Sequence, residues 1–237
     1  MLINNLCYNL GMEKIFEEFN IELTERQREK LEKYYELLIE WNEKFNLTAI
    51  TEKREVYIKH FVDSLLFYKE LKCGKLLDVG SGGGLPAVPI AIANEDTEVV
   101  MLEATGKKCE FLQEVIKVLE LKNARVINGR AEELAKNVKF RESFEACTAR
   151  AVARLNVLCE YCIPFVKKEG VFAAFKCNGE EELSEAESAI KILGGKVEKV
   201  IKKDLEGAER ELILIKKVSA TPEKYPRANG RIRKNPL

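Results

Sequence analysis

The chain has 237 residues, of which 46% are hydrophobic, and this is enough to bury a core in one large domain or in one domain with a helical annex. Lysine plus arginine and aspartate plus glutamate number 39 each, so no overall positive charge indicates a nucleic-acid partner, and such a partner must be inferred from local charge. No window reaches the roughly 18 apolar residues of a membrane span, and the opening MLINNLCYNLGMEKIF lacks the basic-then-apolar order of a signal peptide. We therefore expect a cytoplasmic protein with no membrane partner.

The first part of the chain predicts helices and no strand. Thr24 and Gln27 form a capping box, after which apolar and aromatic residues recur at helical spacing as far as Phe45. A second helix is predicted from about residue 53, and its apolar face can pack on the first. We expect an N-terminal helical module over residues 1–72, with its boundary in the segment LKCGK.

From residue 75 onward, short apolar β-rich segments alternate with helical ones. The clearest of the helices is GKKCEFLQEVIKVLEL. This alternation predicts an α/β fold with a mostly parallel sheet covered on both faces. The strands expected are Lys75–Val79, Glu98–Glu103, Ala124–Asn128, Phe144–Ala149 and Val171–Lys176.

The end of this region has a different pattern. A helix in EEELSEAESAIKILGG closes with a glycine pair suited to a C-cap. The segments KVEKVIKKDL and RELILIKKV then face each other across a short polar loop, Glu206 to Glu209, which predicts an antiparallel hairpin. We expect the α/β domain to span residues 73–218 and a basic tail to span residues 219–237.

The segment LLDVGSGGGLPAVPIAI places glycines directly after the first predicted strand, at residues 80, 82, 83 and 84. Glycines at the carboxyl end of such a strand let the backbone approach a ligand closely, and the helix that follows, opening at Pro86, directs its N–H groups there. Leu85 stands where a G-x-G-x-x-G fingerprint needs its third glycine, and no G-K-[ST] follows for a P-loop. A phosphate-binding loop is therefore not expected. The alternative to a ligand site at these glycines is a plain strand-to-helix turn.

Two further positions favour an adenosine-type ligand. Glu103 ends the second strand 23 residues after Gly80, where a carboxylate can accept hydrogen bonds from both ribose hydroxyls. Ala131 and Glu132, in NGRAEELA after the third strand, can present backbone and carboxylate groups beside an adenine ring. For Glu132 the alternative is an acidic residue that stabilises a helix N-terminus. Three conditions apply to the ligand: it approaches the glycine turn without phosphate, it offers ribose hydroxyls to Glu103, and it offers an adenine to Ala131 and Glu132. S-adenosyl-L-methionine meets all three, because it carries adenosine without phosphate.

The seven cysteines are an odd number in apolar segments, and we expect them to be reduced core thiols. Cys159 and Cys162 form a C-x-x-C, but there is no second such pair and His60 is the only histidine, so no metal site is expected. For His60 a structural role is favoured over ligand binding. The cysteines are Cys7, Cys73, Cys109, Cys147, Cys159, Cys162 and Cys177.

Several segments together resemble one known family. DVGSGGGLPAVPIAI, GRAEEL, TARAVARL and the tail KKVSATPEKYPRANGRIRKNPL are similar, in order, to the bacterial 16S ribosomal RNA guanine 7-methyltransferases, also called glucose-inhibited division protein B. WNEKFNLTAI and HFVDSLL match the same family, so the resemblance covers nearly the whole chain. It implies a class I S-adenosylmethionine-dependent methyltransferase: a Rossmann-like, mostly parallel sheet with a C-terminal antiparallel hairpin and an N-terminal helical extension. It also implies S-adenosyl-L-methionine as donor and nitrogen 7 of a guanine in the decoding-region loop of 16S rRNA as acceptor.

The resemblance also implies particular donor contacts. Carried over position by position, they fall on Gly80, Leu85, Ala131, Glu132 and Arg150, to which the glycine turn adds Ser81 and Gly82 and strand geometry adds Glu103. The chain departs from the family pattern where Leu85 replaces a frequent aromatic, Ala87 a usual glycine and Glu103 a frequent aspartate. These departures concern the packing of ribose and adenine, and they leave the class of protein unchanged.

Nitrogen 7 of guanine has an exposed lone pair and no proton to lose, so methyl transfer requires alignment more than a general base. We therefore expect no catalytic residue in the strict sense. The fourth strand runs into CTARAVARL, which contains neither a cysteine nucleophile after proline nor an N-P-P-Y-like loop. Arg150 and Arg154 are candidates to hold a phosphate or the guanine oxygen, and surface or ion-pairing arginines are the alternative.

The tail is locally basic, with Tyr225 and prolines between its cations. This pattern predicts contact with 16S rRNA or the small ribosomal subunit, against the alternative of a solvated basic tail. A small-molecule methyltransferase and a non-catalytic, cofactor-binding ribosome assembly factor remain alternative functions. The sequence leaves the oligomeric state open, with a monomer as one option. The tail residues expected to contact RNA are Lys224, Arg227, Arg231, Arg233 and Lys234.

Overall fold

The structure is a computed structural model that describes residues 14–71, 73–177 and 179–237. The predictions for Cys7 and for the first 13 residues lie outside these ranges. The strands are β1 (Lys75–Val79), β2 (Glu98–Glu103), β3 (Ala124–Asn128), β4 (Phe144–Arg150), β5 (Val166–Lys176), β6 (Gly195–Leu205) and β7 (Ala208–Lys217). The helices are α1 (Glu25–Asn42), α2 (Lys53–Val56), α3 (Asp63–Leu65), α4 (Ala87–Ala93), α5 (Gly106–Val118), α6 (Ala131–Leu134), α7 (Leu155–Cys162), α8 (Gly179–Ile192) and α9 (Asn229–Lys234).

The strands form one sheet in the order β3-β2-β1-β4-β5-β7-β6. The first five strands of the chain pair in parallel, whereas β7 pairs antiparallel with β5 and with β6. This confirms the predicted mostly parallel sheet with a C-terminal hairpin. The strand order reverses direction between β1 and β4, and in open α/β sheets ligands bind at the carboxyl ends of the strands beside such a point.

Two strand boundaries differ from the prediction by two residues or more. The observed β5 begins at Val166, five residues before the predicted Val171, because its first half carries exposed charges at residues 167–169 that hide the apolar pattern. The hairpin turn is also tighter than the predicted loop. Glu206 and Gly207 both adopt positive φ (52° and 80°), the conformation of a two-residue turn, so β7 begins at Ala208.

The N-terminal helices follow from local signals. α1 begins with the predicted capping box, in which the Gln27 N–H donates to Thr24 Oγ1 at 3.3 Å and the Thr24 N–H donates to Gln27 Oε1 at 2.9 Å. The second predicted helix is continuous from α2 to α3, but its centre, Tyr57–Val62, is π-helical. Within the described ranges, no helix is both long enough and apolar enough to cross a membrane.

Each face of the sheet carries its own core, since side chains alternate along a strand. Leu76 and Val99 contribute to a core with α1, α4 and α5, whereas Leu77 and Val100 contribute to a second core with α7 and α8. The N-terminal helices therefore share a core with the sheet, and the domain boundary at residue 72 stays a prediction. Parts of the predicted tail belong to the second core, in which Tyr225 and Ile232 are buried.

Candidate functional site

The glycine turn after β1 adopts backbone conformations that favour glycine. Gly80, Gly82 and Gly84 have φ of 75°, 56° and 90°. The Gly80 N–H donates to the Leu102 carbonyl of β2 at 2.8 Å, which fixes the turn at the carboxyl end of the sheet. A Cβ atom at Gly80 would lie 2.8 Å from Cγ2 of Val152, so the turn lies against the segment that follows β4. The turn therefore has no room for a side chain at the position where a ligand would approach the backbone.

The N-terminal helices hold this turn from the opposite side. The hydroxyl of the fully buried Tyr34, on α1, donates to the Gly83 carbonyl. Gln27 Nε2 donates to the Ile92 carbonyl of α4 at 3.0 Å. Burial raises the pKa of Tyr34 far above its ordinary value, so its hydroxyl keeps the proton that makes this bond. The helical extension thus positions the glycine turn directly.

Glu103 lies at the carboxyl end of β2, as the sequence predicts. Its carboxylate accepts from the Gly82 N–H at 2.9 Å and from the Thr105 N–H at 2.8 Å, so it connects the glycine turn to the start of α5. Each carboxylate oxygen has further acceptor capacity beyond these bonds. The position suits the predicted contact with ribose hydroxyls.

A cavity of about 100 Å³, hereafter the β1–β3 cavity, lies at the carboxyl ends of β1, β2 and β3. It brings together three of the predicted donor contacts, Gly80, Ala131 and Glu132. The other predicted contacts do not line it: Ser81 is buried and donates to the Asp78 carbonyl at 3.1 Å, and Leu85 packs against the core of the N-terminal helices. The sequence did not predict that residues of α7 and α9 close its other side, namely Tyr161, Asn229 and Arg233.

Asp78 is a buried acid at the end of β1 that the sequence interpretation did not assign to the site. Its Oδ1 accepts from Thr148 Oγ1 at 2.8 Å, whereas its Oδ2 has no hydrogen-bond partner. Burial raises the pKa of Asp78 to about 6, and the charge of Arg150 opposes that rise. An unpaired oxygen on a buried carboxylate is unfavourable unless a ligand supplies a donor. An acid two residues before the first glycine of the turn is the signal that would have found it.

A second cavity of about 330 Å³, hereafter the β4–β5 cavity, lies at the carboxyl ends of β4 and β5. Arg150, predicted as a contact of both donor and RNA, lines this cavity and not the β1–β3 cavity. The Asp63 carboxylate accepts from Arg150 Nη1 at 2.6 Å and from Arg210 Nε at 2.8 Å, so one acid is shared by two arginines. The lining residues are Lys59, His60, Asp63, Phe67, Arg150, Ala151, Phe175, Lys176, Cys177, Arg210 and Glu211.

The β4–β5 cavity combines ion-paired cationic side chains with aromatic ones. Its lining holds four cations, of which Arg150 and Arg210 share Asp63, while Lys59 pairs with Glu55 at 2.7 Å and Lys176 with Glu182 at 2.8 Å. Phe67 and Phe175 meet edge to face with ring centroids 6.0 Å apart. Cationic groups bind phosphate and carbonyl oxygens, and aromatic rings stack on bases. Such a lining suits a nucleobase and its phosphate.

His60 forms part of the wall of the β4–β5 cavity. Its Nδ1 donates to the Lys59 carbonyl at 3.1 Å, since a carbonyl can only accept, and this leaves Nε2 to accept from Thr48 Oγ1 at 2.7 Å. Burial, together with a smaller contribution from the charge of Arg150, lowers the pKa of His60 to about 4. The ring is therefore neutral and held on both sides at neutral pH.

The arginines and lysines predicted to contact RNA fall into different environments. Arg154 is exposed and forms an ion pair of 2.8 Å with Glu185, while Lys224, Arg231 and Lys234 are also exposed. Arg227 differs from these, because its guanidinium pairs with the buried Glu160 at 2.6 Å; its predicted RNA contact stays a prediction. The tail is packed on the domain and does not extend away from it.

The structure describes six of the cysteines, and all six are free thiols, with Cys7 outside the described ranges. Burial raises the pKa of Cys159 and of Cys162 above the ordinary thiol value, which keeps both protonated. Among the residues described, no three His, Cys, Asp or Glu side chains group in a way that suits a metal ion.

Comparisons with a family model and with individual proteins agree on one family. A family model described as rRNA small subunit methyltransferase G matches residues 27–213. A protein of Lachnoclostridium phytofermentans named ribosomal RNA small subunit methyltransferase G is 49% identical over 223 residues, which is 92% of each chain. A protein of the same name from Bacillus licheniformis is 45% identical over 236 residues, which is 97% of each chain.

Comparison with solved structures supports the fold. An O-methyltransferase from Bacillus cereus in complex with SAH superposes with a TM-score of 0.56 at 16% identity, covering 77% of this chain and 90% of that one. A SAM-dependent methyltransferase from Aquifex aeolicus gives a TM-score of 0.52 at 16% identity, covering 69% of this chain and 93% of that one. At such low identity these matches establish the fold alone.

Proposed function

The chain belongs to the rRNA small subunit methyltransferase G family, and from that membership we infer that it transfers a methyl group from S-adenosyl-L-methionine to 16S ribosomal RNA. Nitrogen 7 of a guanine in the decoding-region loop is the acceptor that the family resemblance implies. One structural observation carries the proposal: two cavities of different chemistry lie on either side of the end of β4, at the carboxyl edge of the sheet. A transferase needs to hold a donor and an acceptor side by side, and this arrangement provides for both.

We assign the donor to the β1–β3 side. Gly80, Ala131 and Glu132 form the cavity wall there, and Glu103 is placed to accept hydrogen bonds from ribose hydroxyls. The unpaired Oδ2 of Asp78 fits a donor that carries an ammonium group, because that group would supply the missing hydrogen bond and opposite charge. Ser81 and Gly82 keep the turn in place from within, while Leu85 supports it from the core. These residues therefore fit S-adenosyl-L-methionine, which would supply an electrophilic methyl group bonded to sulfonium.

We assign the acceptor base to the β4–β5 side. Arg150 stands at the end of β4, next to Ala151 and Val152, which separate this cavity from Gly80. Its guanidinium is a good donor to the guanine O6 or to a phosphate. The ion pair of 2.6 Å with Asp63 orients the guanidinium before the base binds. A base that enters this cavity has to leave its stack, and this costs least in a single-stranded loop.

The chemistry proposed here requires positioning without proton transfer. Guanine N7 offers a lone pair and loses no proton, so a general base has no role in the transfer. The neutral, doubly hydrogen-bonded His60 agrees with this, because it has no free basic nitrogen to offer. What the chain contributes is alignment of two bound groups, and alignment alone accounts for a large part of the rate increase in such reactions.

We propose that exposed cations around the site hold the RNA backbone. Arg154 is the N-cap of α7, four residues after the end of β4, and Arg231 and Lys234 are exposed on α9, whose Arg233 borders the β1–β3 cavity. Lys224 lies 5.3 Å above the ring of Tyr225 and is exposed. Binding through such contacts weakens steeply with salt, whereas a small uncharged acceptor would bind with little salt dependence. An RNA substrate also supports action in the cytoplasm, where ribosomal RNA is found.

The proposal is tested on nucleosides from small-subunit RNA of a strain that lacks this gene, compared with its parent by mass spectrometry. We expect the loss of one 7-methylguanosine per RNA and its return when the gene is restored. Restoring the gene with Gly80→Val is the matched control, since its donor cavity is blocked, and it should not return the nucleoside. An unchanged nucleoside spectrum would contradict the assignment and favour a small-molecule acceptor.

A further inference from the structure

The segment that follows β7 is fastened to the domain by two neighbouring residues of the α6–β4 connection. Arg141 Nη1 donates to the Tyr225 carbonyl at 2.8 Å, and its Nη2 donates to the Thr221 carbonyl at 2.7 Å. Glu142 accepts from the Thr221 N–H at 2.8 Å and pairs with the buried Lys217 at 2.7 Å. These contacts use backbone groups of the tail, so they fix its course and not merely one side chain.

Further along, the tail is fastened to α7. The fully buried carboxylate of Glu160 accepts from the backbone N–H of Arg227 at 2.7 Å and from its Nη2 at 2.6 Å. Ile232 is also fully buried, so α9 packs one side on the domain. The whole segment from Thr221 to Ile232 therefore has a defined position that ends at α9.

That position brings α9 to the β1–β3 cavity. The hydroxyl of Tyr161, on α7, donates to Asn229 Oδ1 at the start of α9. Arg233 lies one turn further on and lines the same cavity as Ala131 and Glu132. Tyr161 and Arg233 line this cavity together. Burial raises the pKa of Tyr161, and the hydrogen bond and positive charge of Arg233 oppose that rise. Two residues of the C-terminal segment thus face the place assigned to the adenosine end of the donor.

We propose that the C-terminal helix is part of the donor site: Arg233 and Asn229 contact the adenosine end of S-adenosyl-L-methionine. This rests on the proposed function, since it concerns the donor of that reaction. Glu132 and Arg233 bring opposite charges to one cavity, and the planar guanidinium suits both stacking on adenine and hydrogen bonding to its nitrogens. At about 100 Å³ the cavity is smaller than the roughly 300 Å³ at which ligand pockets begin. Arg233 is exposed and belongs to the cavity wall, so a ligand larger than this cavity has to displace its side chain.

The C-terminal helix α9 also carries cationic residues that are available to RNA. The same short helix presents Arg231 and Lys234 to solvent, where they are placed to contact phosphates. A contact that shifts α9 acts on the donor cavity through Asn229 and Arg233, and by linkage donor binding acts equally on the RNA contact. Sequence alone assigns the whole tail to RNA, whereas the proposal divides it between the two ligands.

The test is calorimetric titration of the full-length protein with S-adenosylhomocysteine and with 5′-methylthioadenosine, which has the adenosine end without the amino-acid end. We expect Arg233→Ala to raise the Kd for both ligands by about tenfold, since a contact from a charged group is lost. The matched control is Arg231→Ala, which removes an exposed arginine from the same helix and should leave both Kd values within about twofold. Urea unfolding of the ligand-free proteins shows that each variant is folded.

Two results would overturn the proposed role of Arg233, and a third would contradict the proposed function on which it rests. Equal Kd values for the parent and both variants would overturn the proposal while leaving the donor assignment intact. An effect of Arg233→Ala on S-adenosylhomocysteine but not on 5′-methylthioadenosine would also overturn it, because the contact would then lie at the amino-acid end. A parent protein that binds neither ligand would contradict the proposed function itself.

Discussion

Arg227 binds Glu160 through both its backbone N–H and its guanidinium, at 2.6 to 3.1 Å, and Glu160 is fully buried beneath it. The pair joins the C-terminal segment to α7. The side chain of Arg227 retains 17% exposure, so it closes the surface above the buried acid. Burying a carboxylate costs least when both of its oxygens are paired, and here one residue provides the pairing.

We expect Arg227→Met to lower the free energy of unfolding by about 3–5 kcal/mol, because Glu160 would remain buried without a partner. The double variant Arg227→Met with Glu160→Gln should recover part of the loss, since the uncompensated charge is removed. Urea unfolding of both proteins measures this. The control is Arg154→Ala, which breaks an exposed ion pair and should cost no more than about 1 kcal/mol. A loss for Arg227→Met as small as that of the control would show that the pair does not hold the tail.

Gly80→Ala is expected to weaken donor binding by about tenfold or more. The φ of 75° disfavours a side chain, and the new Cβ would meet Val152 at 2.8 Å, so the turn and the segment after β4 must separate. Titration with S-adenosylhomocysteine gives the affinity. Gly106→Ala is the matched control, because a Cβ there has no atom within 4 Å and its affinity should stay unchanged. Equal affinities for the two variants would remove Gly80 from the site.

Asp78→Asn is expected to stabilise the fold at neutral pH. The pKa of Asp78 is raised to about 6 by burial, so the folded protein binds this proton more tightly than the unfolded chain does. The stability that the proton contributes is fully present below about pH 4 and is lost as the pH rises through about 6. The variant should therefore be more stable than the parent by on the order of 1–3 kcal/mol at pH 7, and the difference should vanish near pH 4. Parallel urea unfolding at the two pH values measures it.

The same substitution should weaken the donor. The neutral side chain of Asp78→Asn cannot pair with an ammonium group, so we expect weaker binding of S-adenosylhomocysteine and unchanged binding of 5′-methylthioadenosine. In the parent, affinity for the first ligand should decrease as the pH falls below about 6, where Asp78 becomes protonated. The charges of Arg150 and Glu103 also shift the pKa of Asp78, so the affinity of the parent is compared with that of the variant at each pH. A parent affinity independent of pH in this range would place the ammonium group elsewhere.

Arg154→Ala is expected to reduce RNA methylation and to leave donor affinity unchanged. Its ion pair with Glu185 is exposed and weak, so the guanidinium can exchange that partner for a phosphate. Removing one phosphate contact should lower the salt slope of RNA binding by about one unit. Arg125→Ala is the matched control, because this arginine is equally ion-paired but lies near the amino end of β3, away from the site. Equal losses in the two variants would indicate a general charge effect.

His60→Gln should leave the shape of the pH–rate profile unchanged between about pH 6.5 and 8.5, even if the rate itself falls. The pKa of His60 is lowered to about 4 by burial, so the ring does not titrate in this range. Single-turnover methylation of unmodified small-subunit RNA at a series of pH values measures the profile. A limb near pH 6–7 that disappears in the variant would identify His60 as a proton acceptor and contradict a mechanism of positioning alone.

The periodicity of the sequence determined the fold because each strand of a parallel sheet and each amphipathic helix carries its own pattern. β1 and β2 were predicted to the residue, and the glycines after β1 indicated a ligand site at the point where the sheet reverses. The segments GRAEEL and TARAVARL and the tail fixed the family because they occur together and in order. None of these inferences needs a contact between distant residues.

The tertiary structure alone decided what each charged residue does. Arg227 and Arg231 lie four apart in one basic segment and look alike in sequence, yet the fold places buried Glu160 beneath the first and solvent around the second. Likewise, the β4–β5 cavity joins residues of the N-terminal helices to the ends of three strands, and α9 reaches the β1–β3 cavity only because Arg141 and Glu160 direct the tail there. Charge in a sequence shows that a partner is needed, but burial and distance determine whether that partner belongs to the same chain or to a ligand.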